Sequence, residues 1–491
     1  MMRRCLMWGI MAGFILGIVA GPVLAQQKHV RTPHVAGQFY PANAEALRTQ
    51  IAEYLNNAPK IELPGHLHAL IAPHAGYIYS APIAAYAYKQ LEHSFKRVFI
   101  FASNHSRQAN FEGLSIPDYT HYATPLGEVP VSSLTQVFRQ QARISFVPEA
   151  HTTHIVEVHL PFLQTVLEDF EIIPVITGRL TPEDIVAFGE LFSQYADERT
   201  LFLVSTDLSH YHPYQEAVLL DRSCTYALEA LDADGVINSE LCGQNAALIL
   251  LEIAKKYGWQ GKTLEYRNSG DTAGDKNRVV GYSAIAYYTP DEAGKPLPET
   301  HSSELSGEEQ QRLLDLARDT LERYVREHAV FEPDIKTFSA YRNLIKPRGT
   351  FVTLKKFGQL RGCIGDLIGR QPLVLGVRDN TINAASRDPR FTPVTEKELP
   401  DITLSISVLD VPKLLKVETP EDYLTTLTHQ DGVILIHGSH RSTYLPQVWE
   451  QLPDPVEFLS RLCRKGGSHA ECWKDPETQI YTYRAQEFGA K

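Results

Sequence analysis

Residues 201–214 read LFLVSTDLSHYHPY. The apolar run from Leu201 to Val204 has the composition of a strand buried on both faces of a parallel sheet. A polar cluster of Ser205, Thr206, Asp207, Ser209, His210 and His212 follows at its carboxyl end. Open α/β sheets carry their chemistry at that end of their strands. Two earlier stretches repeat the plan: HALIAPHAGY (68–77) leads an apolar segment into His74, and RVFIFASNHS (97–106) leads another into Asn104 and His105. Three strands are therefore expected to deliver imidazoles and a carboxylate to one rim.

Helical patterns lie between these strands. Residues 44–56 and 83–91 are amphipathic, 181–195 open with the helix-start string Thr-Pro-Glu-Asp, and 244–257 form a further helix. VVGYSAIAYY (279–288) reads as a late strand, so the expected architecture is an α/β sheet with helices on both faces. Gly76 follows His74 closely and Gly243 follows Cys242, and a missing side chain beside a ligand lets backbones approach.

The N-terminus reads as a segment outside the fold. Arg3 and Arg4 precede an apolar run, and Val23-Leu24-Ala25 supplies small residues at the positions of a signal-peptidase site, so residues 1–25 are expected to be a cleaved secretory signal. The alternative is an uncleaved membrane anchor, although the run falls short of the roughly 20 residues of a spanning helix. Arg3-Arg4 with Leu6 and Met7 is similar to a twin-arginine signal, a device for exporting folded, cofactor-loaded protein. The expected localisation is periplasmic or extracellular.

The chain has 491 residues, enough for more than one domain, with 58 acidic and 47 basic residues. With no Lys/Arg block, this balance argues against nucleic acid as a partner, and nothing after residue 25 is apolar for long enough to span a bilayer. Removal of the signal takes Cys5 and leaves Cys224, Cys242, Cys363, Cys463 and Cys472, an odd number that implies a free or metal-bound thiol in an exported protein. No CxxC pair occurs. Residues 291–311 are rich in Pro, Gly, Ser and Glu without apolar periodicity. They separate a first domain, 28–290, from a second, 306–491, with 291–305 as the linker.

His74, His105 and Cys242 offer imidazole and thiolate ligands, the donors expected for zinc, copper or iron. Taken singly, each also has a bland reading: a solvated histidine at a strand end, or a small buried hydrophobe for Cys242. Cys224, inside the helical DRSCTYALEAL, keeps the buried reading. The strings APHAGYIYS (72–80), STDLSHYHPY (205–214), LCG (241–243) and YRNSGDTAGDKNRVVGYSAIAYY (266–288) resemble the Memo family, AmmeMemoRadiSam system protein B, over nearly all of the first domain. That family is similar in fold to the class III extradiol dioxygenases of the protocatechuate type, which hold non-haem Fe(II) with two histidines and a carboxylate. The resemblance implies His74, His105 and Cys242 as metal ligands, with Asp207 and His210 beside them. Cysteine stands where the dioxygenases have glutamate, and a softer thiolate favours iron, copper or zinc over hard cations, so dioxygenase chemistry does not follow from the fold.

HTTHIVEVHLPF (151–162) keeps His154, Glu157 and His159 of a family string but departs from it at Thr153 and Ile155. His154 is either an acid/base group lining the site or a solvated histidine at a helix start. A catalytic site would take O₂ or an oxygenated aromatic, with His210 or His154 moving a proton and Asp207 orienting His210 or another ligand. Asp271 and Asp275 sit in a Gly-rich loop and read as turn formers.

In the second domain, residues 310–330 are helical, GTFVTLKKFGQLRGCIGDL (349–367) is a hairpin with Gly358-Gln359 at its turn, and strands and a late helix follow. LRGCIG (360–365), ASRDPRF (385–391), YLPQV (444–448) and LCRKGG (462–467) resemble the AMMECR family, AmmeMemoRadiSam system protein A, implying a smaller α+β fold. Arg361 beside Cys363 would lower a thiol pKa and make a nucleophile or binding group; the alternative is an inert cysteine in a Gly-rich turn. Arg387 and Arg390 are candidates for an anion pocket. The family names imply a radical SAM partner, but the chain lacks that enzyme's closely spaced three-cysteine cluster. Three readings stay open: a metal-dependent, dioxygenase-like oxidoreductase acting on a small molecule, a non-catalytic copper- or iron-binding or scaffold protein, and a degenerate enzyme.

Overall fold

The computed structural model describes residues 28–92, 94–290 and 304–490. The expected signal and all but the last two residues of the expected linker lie outside them. The first domain is built on a nine-stranded sheet. Its centre consists of β1 (Gly65–Ala72), β2 (Arg97–Ser103), β3 (Glu171–Thr177) and β4 (Thr200–Ser205), in the order β1-β4-β2-β3 with all neighbours parallel. β5 (Gln260–Asn268) and β6 (Val279–Pro290) extend the sheet antiparallel beyond β1. The central strands are apolar through their buried interiors because both faces are covered there. Leu70, Val98, Ile100 and Leu203 point into one core, and Ile71, Phe99, Phe101, Phe202 and Val204 into the other, all fully buried.

Helices α1 (Ala44–Asn57), α2 (Tyr77–Tyr88) and α3 (Leu160–Val166) contribute to the first core, while α4 (Pro182–Ser193), α5 (Tyr214–Glu229) and α6 (Gln244–Tyr257) contribute to the second. Their ends follow the sequence. Thr181 and Asp184 form a capping box at the start of α4, and Gly258 closes α6 in the left-handed conformation at φ 64°. α2 begins six residues before the expected start at Ile83 and runs through Pro82. Tyr79 and Ser80 N–H bond to Gly76 O at 2.9 and 3.1 Å, so a first turn closes before the proline.

In the second domain α7 (Gly307–Glu327), capped by Ser306 and Glu309, and α8 (Leu373–Ser386) cover an antiparallel sheet. That sheet contains β7 (Thr350–Lys356), β8 (Gln359–Asp366) and β9 (Ile402–Leu409). The hairpin turn falls on Phe357-Gly358, one residue earlier than expected. Both have positive φ, 50° and 77°, as a two-residue turn between twisted strands requires. A second antiparallel sheet holds β10 (Gly432–His437), β11 (His440–Tyr444) and β12 (Gln479–Tyr483), packed under α9 (Pro455–Lys465), and a disulfide joins Cys463 to Cys472. Leu305, placed in the linker by composition, is buried, and its backbone N–H and C=O pair with the Gln486 side chain at 2.8 and 2.9 Å.

The two domains touch. Leu219 and Leu220 of α5 are buried within the apolar core of the second domain, Arg378 approaches Glu216 at 3.5 Å, and the Arg342 guanidinium lies 5.0 Å from the Tyr226 ring centre. No helix among the described residues is long and apolar enough to cross a membrane.

Candidate metal centre

Register brings the rim together. Ala72 of β1 and Ala102 of β2 both pair with Ser205 of β4, so the three strands end level, and each then releases a polar side chain within a few residues. His74, His105 and Cys242 each offer a ligand atom, and these atoms lie within 4.8 Å of one another. Cys242 Sγ is 3.3 Å from His74 Nε2, and the His74 and His105 rings meet edge to face at 4.9 Å.

Hydrogen bonds orient both imidazoles. His105 Nδ1 lies 2.8 Å from Ser103 O, a pure acceptor, so Nδ1 carries the proton and Nε2 presents its lone pair. His74 Nδ1 lies 2.7 Å from Ser205 Oγ, whose own proton goes to Ile155 O at 2.6 Å, which again turns the His74 Nε2 lone pair toward the Cys242 sulfur. These are the partners that metal-binding histidines use to set tautomer and ring angle.

Cys242 is placed by a short backbone exchange. Asp207 N–H donates to its sulfur at 3.2 Å, Cys242 N–H donates to Asp207 O at 3.2 Å, and Gly243 N–H donates to Thr206 Oγ1 at 2.8 Å. The last contact needs glycine, since a Cβ on residue 243 would stand 2.5 Å from Thr206 Cβ and 2.9 Å from Ser205 O. Gly76 is different. A Cβ there would meet only ordinary contacts, the nearest at 3.7 Å from Phe39 O, so close approach is not the reason for that glycine.

Asp207 is buried, and its carboxylate accepts His74 N–H at 2.8 Å. It thus holds the His74 backbone and, through its own N–H, the Cys242 thiol, rather than the His210 ring. Burial pushes its carboxyl up to about 7, against the pull of the His74 and Ala75 N–H groups. The His154 ring packs edge to face against both ligand rings, 5.2 Å from His74 and 5.7 Å from His105, and stacks on Phe39 at 4.6 Å. His210 is half-buried beside the site, close enough for its charge to bear on His74.

The electrostatics favour neutral imidazoles. Burial lowers His74 well below the ordinary histidine range, with the charges of His105 and the other rings adding to it, and burial lowers His105 and His210 too. His154 is lowered to about 4, first by burial and then by His105. Burial and the Asp207 charge push the Cys242 thiol up to about 12. Rings held neutral are rings ready to coordinate, and a dication is what would release the thiol proton. The donor set therefore fits a late-transition metal. His74, His105 and Cys242 would hold it.

Sequence reasoning missed the supports. In the sequence Ser205 stands out only as one of the polar residues after the strand. Glu157 is fully buried against Arg31 at 2.5 Å and accepts from Tyr40 OH at 2.6 Å and from the N–H groups of His34 and Val35. Arg31 also donates to His151 O and Thr153 O at 2.7 and 2.9 Å, so this pair ties down the segment that presents His154. The signal available was an acidic residue inside an apolar string. Asp271 caps the turn at Asn268 and accepts from Tyr214 OH at 2.7 Å, a structural role as expected.

The Memo-like protein family model matches residues 31–286, half of the chain. The chain belongs to the Memo family. A MEMO1 family protein of Saccharolobus solfataricus is 32% identical over 282 residues, covering 52% of this chain and 99% of that protein. One of Methanopyrus kandleri is 35% identical over 287 residues, covering 52% and 98%. A solved structure, that of an uncharacterised protein PH0010 from Pyrococcus horikoshii, is 33% identical and covers 37% of this chain and 91% of that one at a TM-score of 0.35. Residues 314–488 match the AMMECR1 family model, so the Memo domain is followed by a smaller AMMECR1 domain.

In the AMMECR1 domain Arg361 donates to Glu398 at 3.0 Å and to Thr392 O at 2.8 Å, which gives it a clasp across the fold. Cys363 receives a hydrogen bond from Thr353 Oγ1 at 3.3 Å, and its N–H donates to Asp388 at 2.8 Å. Arg390 is paired with Asp388 at 2.7 Å, and Arg387 donates to Asn383 Oδ1 at 3.2 Å. The guanidiniums expected to form an anion pocket are engaged by these partners. Cys224 is buried, as expected.

Proposed function

We propose that the Memo domain is an exported metal-binding domain whose His74, His105 and Cys242 hold iron or copper, with zinc as the redox-inactive alternative, and that it serves as a metal-dependent oxidoreductase of a small oxygenated substrate. The observation that carries this reading is the convergence of two imidazole Nε2 lone pairs and one thiol, both tautomers set by Ser205 and Ser103. A bound metal would supply redox or Lewis-acid activation of an oxygenated aromatic or of O₂. The neutral His154 ring against both ligand histidines, and His210 beside them, are the groups placed to take or return a proton. The reading also rests on the family's likeness in fold to the class III extradiol dioxygenases. A disulfide between Cys463 and Cys472 is the chemistry an oxidising compartment permits, which supports export.

One observation favours a second reading. Cysteine in place of a carboxylate softens the site toward copper or zinc, which suits metal holding without turnover. Elemental analysis of protein purified anaerobically from its native compartment, beside the Cys242→Ser and Cys224→Ser variants, separates the two. Near-stoichiometric iron or copper, lost in Cys242→Ser and kept in Cys224→Ser, with O₂ consumption on catechol-like substrates, is the result expected of the oxidoreductase. Metal without any such turnover supports the holding reading. Equal metal in all three proteins overturns the site.

A further inference from the structure

The AMMECR1 domain carries a second convergence of ligands far in sequence from the first. His437 ends β10, while His469 and Asp475 lie on the segment that follows α9. His437 Nε2 is 3.0 Å and His469 Nε2 2.9 Å from the same oxygen, Asp475 Oδ2. The two rings are nearly perpendicular at 88°, with centres 5.6 Å apart. All three ligand atoms fall within 4.8 Å of one another.

We propose that His437, His469 and Asp475 form a divalent late-transition-metal site, with zinc as its natural probe, independent of the Memo-domain centre. Two imidazoles and a carboxylate form a donor set used by zinc and by non-haem iron, and three protein ligands leave a fourth position open. Bonds of about 2.0–2.1 Å in tetrahedral geometry separate ligand atoms by about 3.3 Å, so each His–Asp475 spacing needs to open by only a few tenths of an ångström. The site is accessible: the side chains of His469 and Asp475 are 58% and 38% exposed, so an ion can reach it and water can fill the fourth position.

The ligands are also held. Ser468 Oγ sits 3.2 Å from His437 Nδ1, the outer contact that directs Nε2 toward Asp475. The loop that carries His469 is closed by the Cys463–Cys472 disulfide. Within it Cys472 N–H bonds to His469 O at 3.1 Å, and just beyond it Asp475 N–H bonds to Cys472 O at 3.1 Å. A metal would tie the end of β10 to this loop, joining the second sheet to the segment under α9. Because both nearby thiols are oxidised, sulfur does not compete for the ion, and the site differs in donor chemistry from the cysteine-bearing centre.

The test uses the full chain with its disulfide intact. Zinc is titrated against a chromophoric chelator in the parent, in His437→Ala/His469→Ala and in Cys242→Ser, with Asp475→Asn as a milder variant. The expected result is one zinc fewer per chain in His437→Ala/His469→Ala, at least about a tenfold weakening in Asp475→Asn, and retention of this zinc in Cys242→Ser. Cobalt substitution identifies which centre is filled, since only the Memo site yields a thiolate-to-cobalt charge-transfer band. A visible cobalt spectrum in Cys242→Ser that disappears when His437→Ala/His469→Ala is added to it supports the proposal even if the Memo site proves empty. Equal zinc in the parent and His437→Ala/His469→Ala, with unchanged melting of the metal-free proteins, overturns it.

Discussion

Ser205 Oγ accepts the Nδ1 proton of His74 at 2.7 Å while giving its own proton to Ile155 O at 2.6 Å, so the direction of both bonds is fixed by the carbonyl. The last residue of a central strand thereby decides which nitrogen of a buried imidazole faces the site. Ser205→Ala removes the acceptor without opening a large void. It is expected to weaken metal binding about 10–100-fold while leaving the unfolding free energy of the metal-free protein within about 1–2 kcal/mol of the parent. Competition with a chelator of known affinity reads the first quantity, and unfolding in urea the second. Unchanged affinity would mean that His74 does not bind through Nε2.

Cys242 provides a proton count. Burial holds its thiol at about 12, far above neutral pH, whereas a metal-bound cysteine is a thiolate. Metal binding near pH 7 is therefore expected to release about one proton per site, and apparent affinity should rise as pH rises. Calorimetry in buffers of different ionisation enthalpy measures the release, and the release should vanish in Cys242→Ser.

Much of this site was legible because hydrophobic runs end where polar residues begin. His74, His105 and Asp207 were each placed by an apolar strand that terminates just before them, and Cys242 by the LCG string that resembles the Memo family. What the chain order hides is pairing across distance. Arg31 and Glu157 are 126 residues apart and give no periodic signal, yet they form the buried ion pair beneath His154. The early start of α2 was obscured by Pro82, which local propensity treats as a boundary. The cluster of His437, His469 and Asp475 was invisible for the same reason as the ion pair, since its members come from a strand end and a loop closed by a disulfide.

The Arg31–Glu157 pair predicts an acid limit to stability. Burial alone would raise the Glu157 carboxyl, but Arg31, Tyr40 and the His34 N–H together bring it below its ordinary value. A carboxylate depressed in the folded state stabilises fully above its unfolded pKa of about 4.3, and that contribution is lost as pH falls through the lower folded pKa. Urea unfolding across this range should show a steeper acid loss in the parent than in Glu157→Gln. Glu157→Gln itself strands the buried guanidinium, so it is expected to cost about 3–5 kcal/mol at pH 7, and Arg31→Met/Glu157→Met is expected to recover part of that.

Leu219 tests whether the two domains behave as one cooperative unit. It lies on α5 of the Memo domain, is fully buried, and joins Leu220 inside the core of the AMMECR1 domain. The same helix carries Glu216, which lies 3.2 Å from His212 on one side and 3.5 Å from Arg378 on the other. The partly exposed ion contact contributes little, about 0–1 kcal/mol, so the leucines are expected to carry more of the coupling than it does. Leu219→Ala removes a buried isobutyl group from the contact between the domains, and a cost of about 2–5 kcal/mol is expected. In differential scanning calorimetry the parent should melt in a single transition, while Leu219→Ala/Leu220→Ala should separate into two. A parent that already melts in two independent steps, unmoved by the substitutions, would show that this contact does not couple the domains.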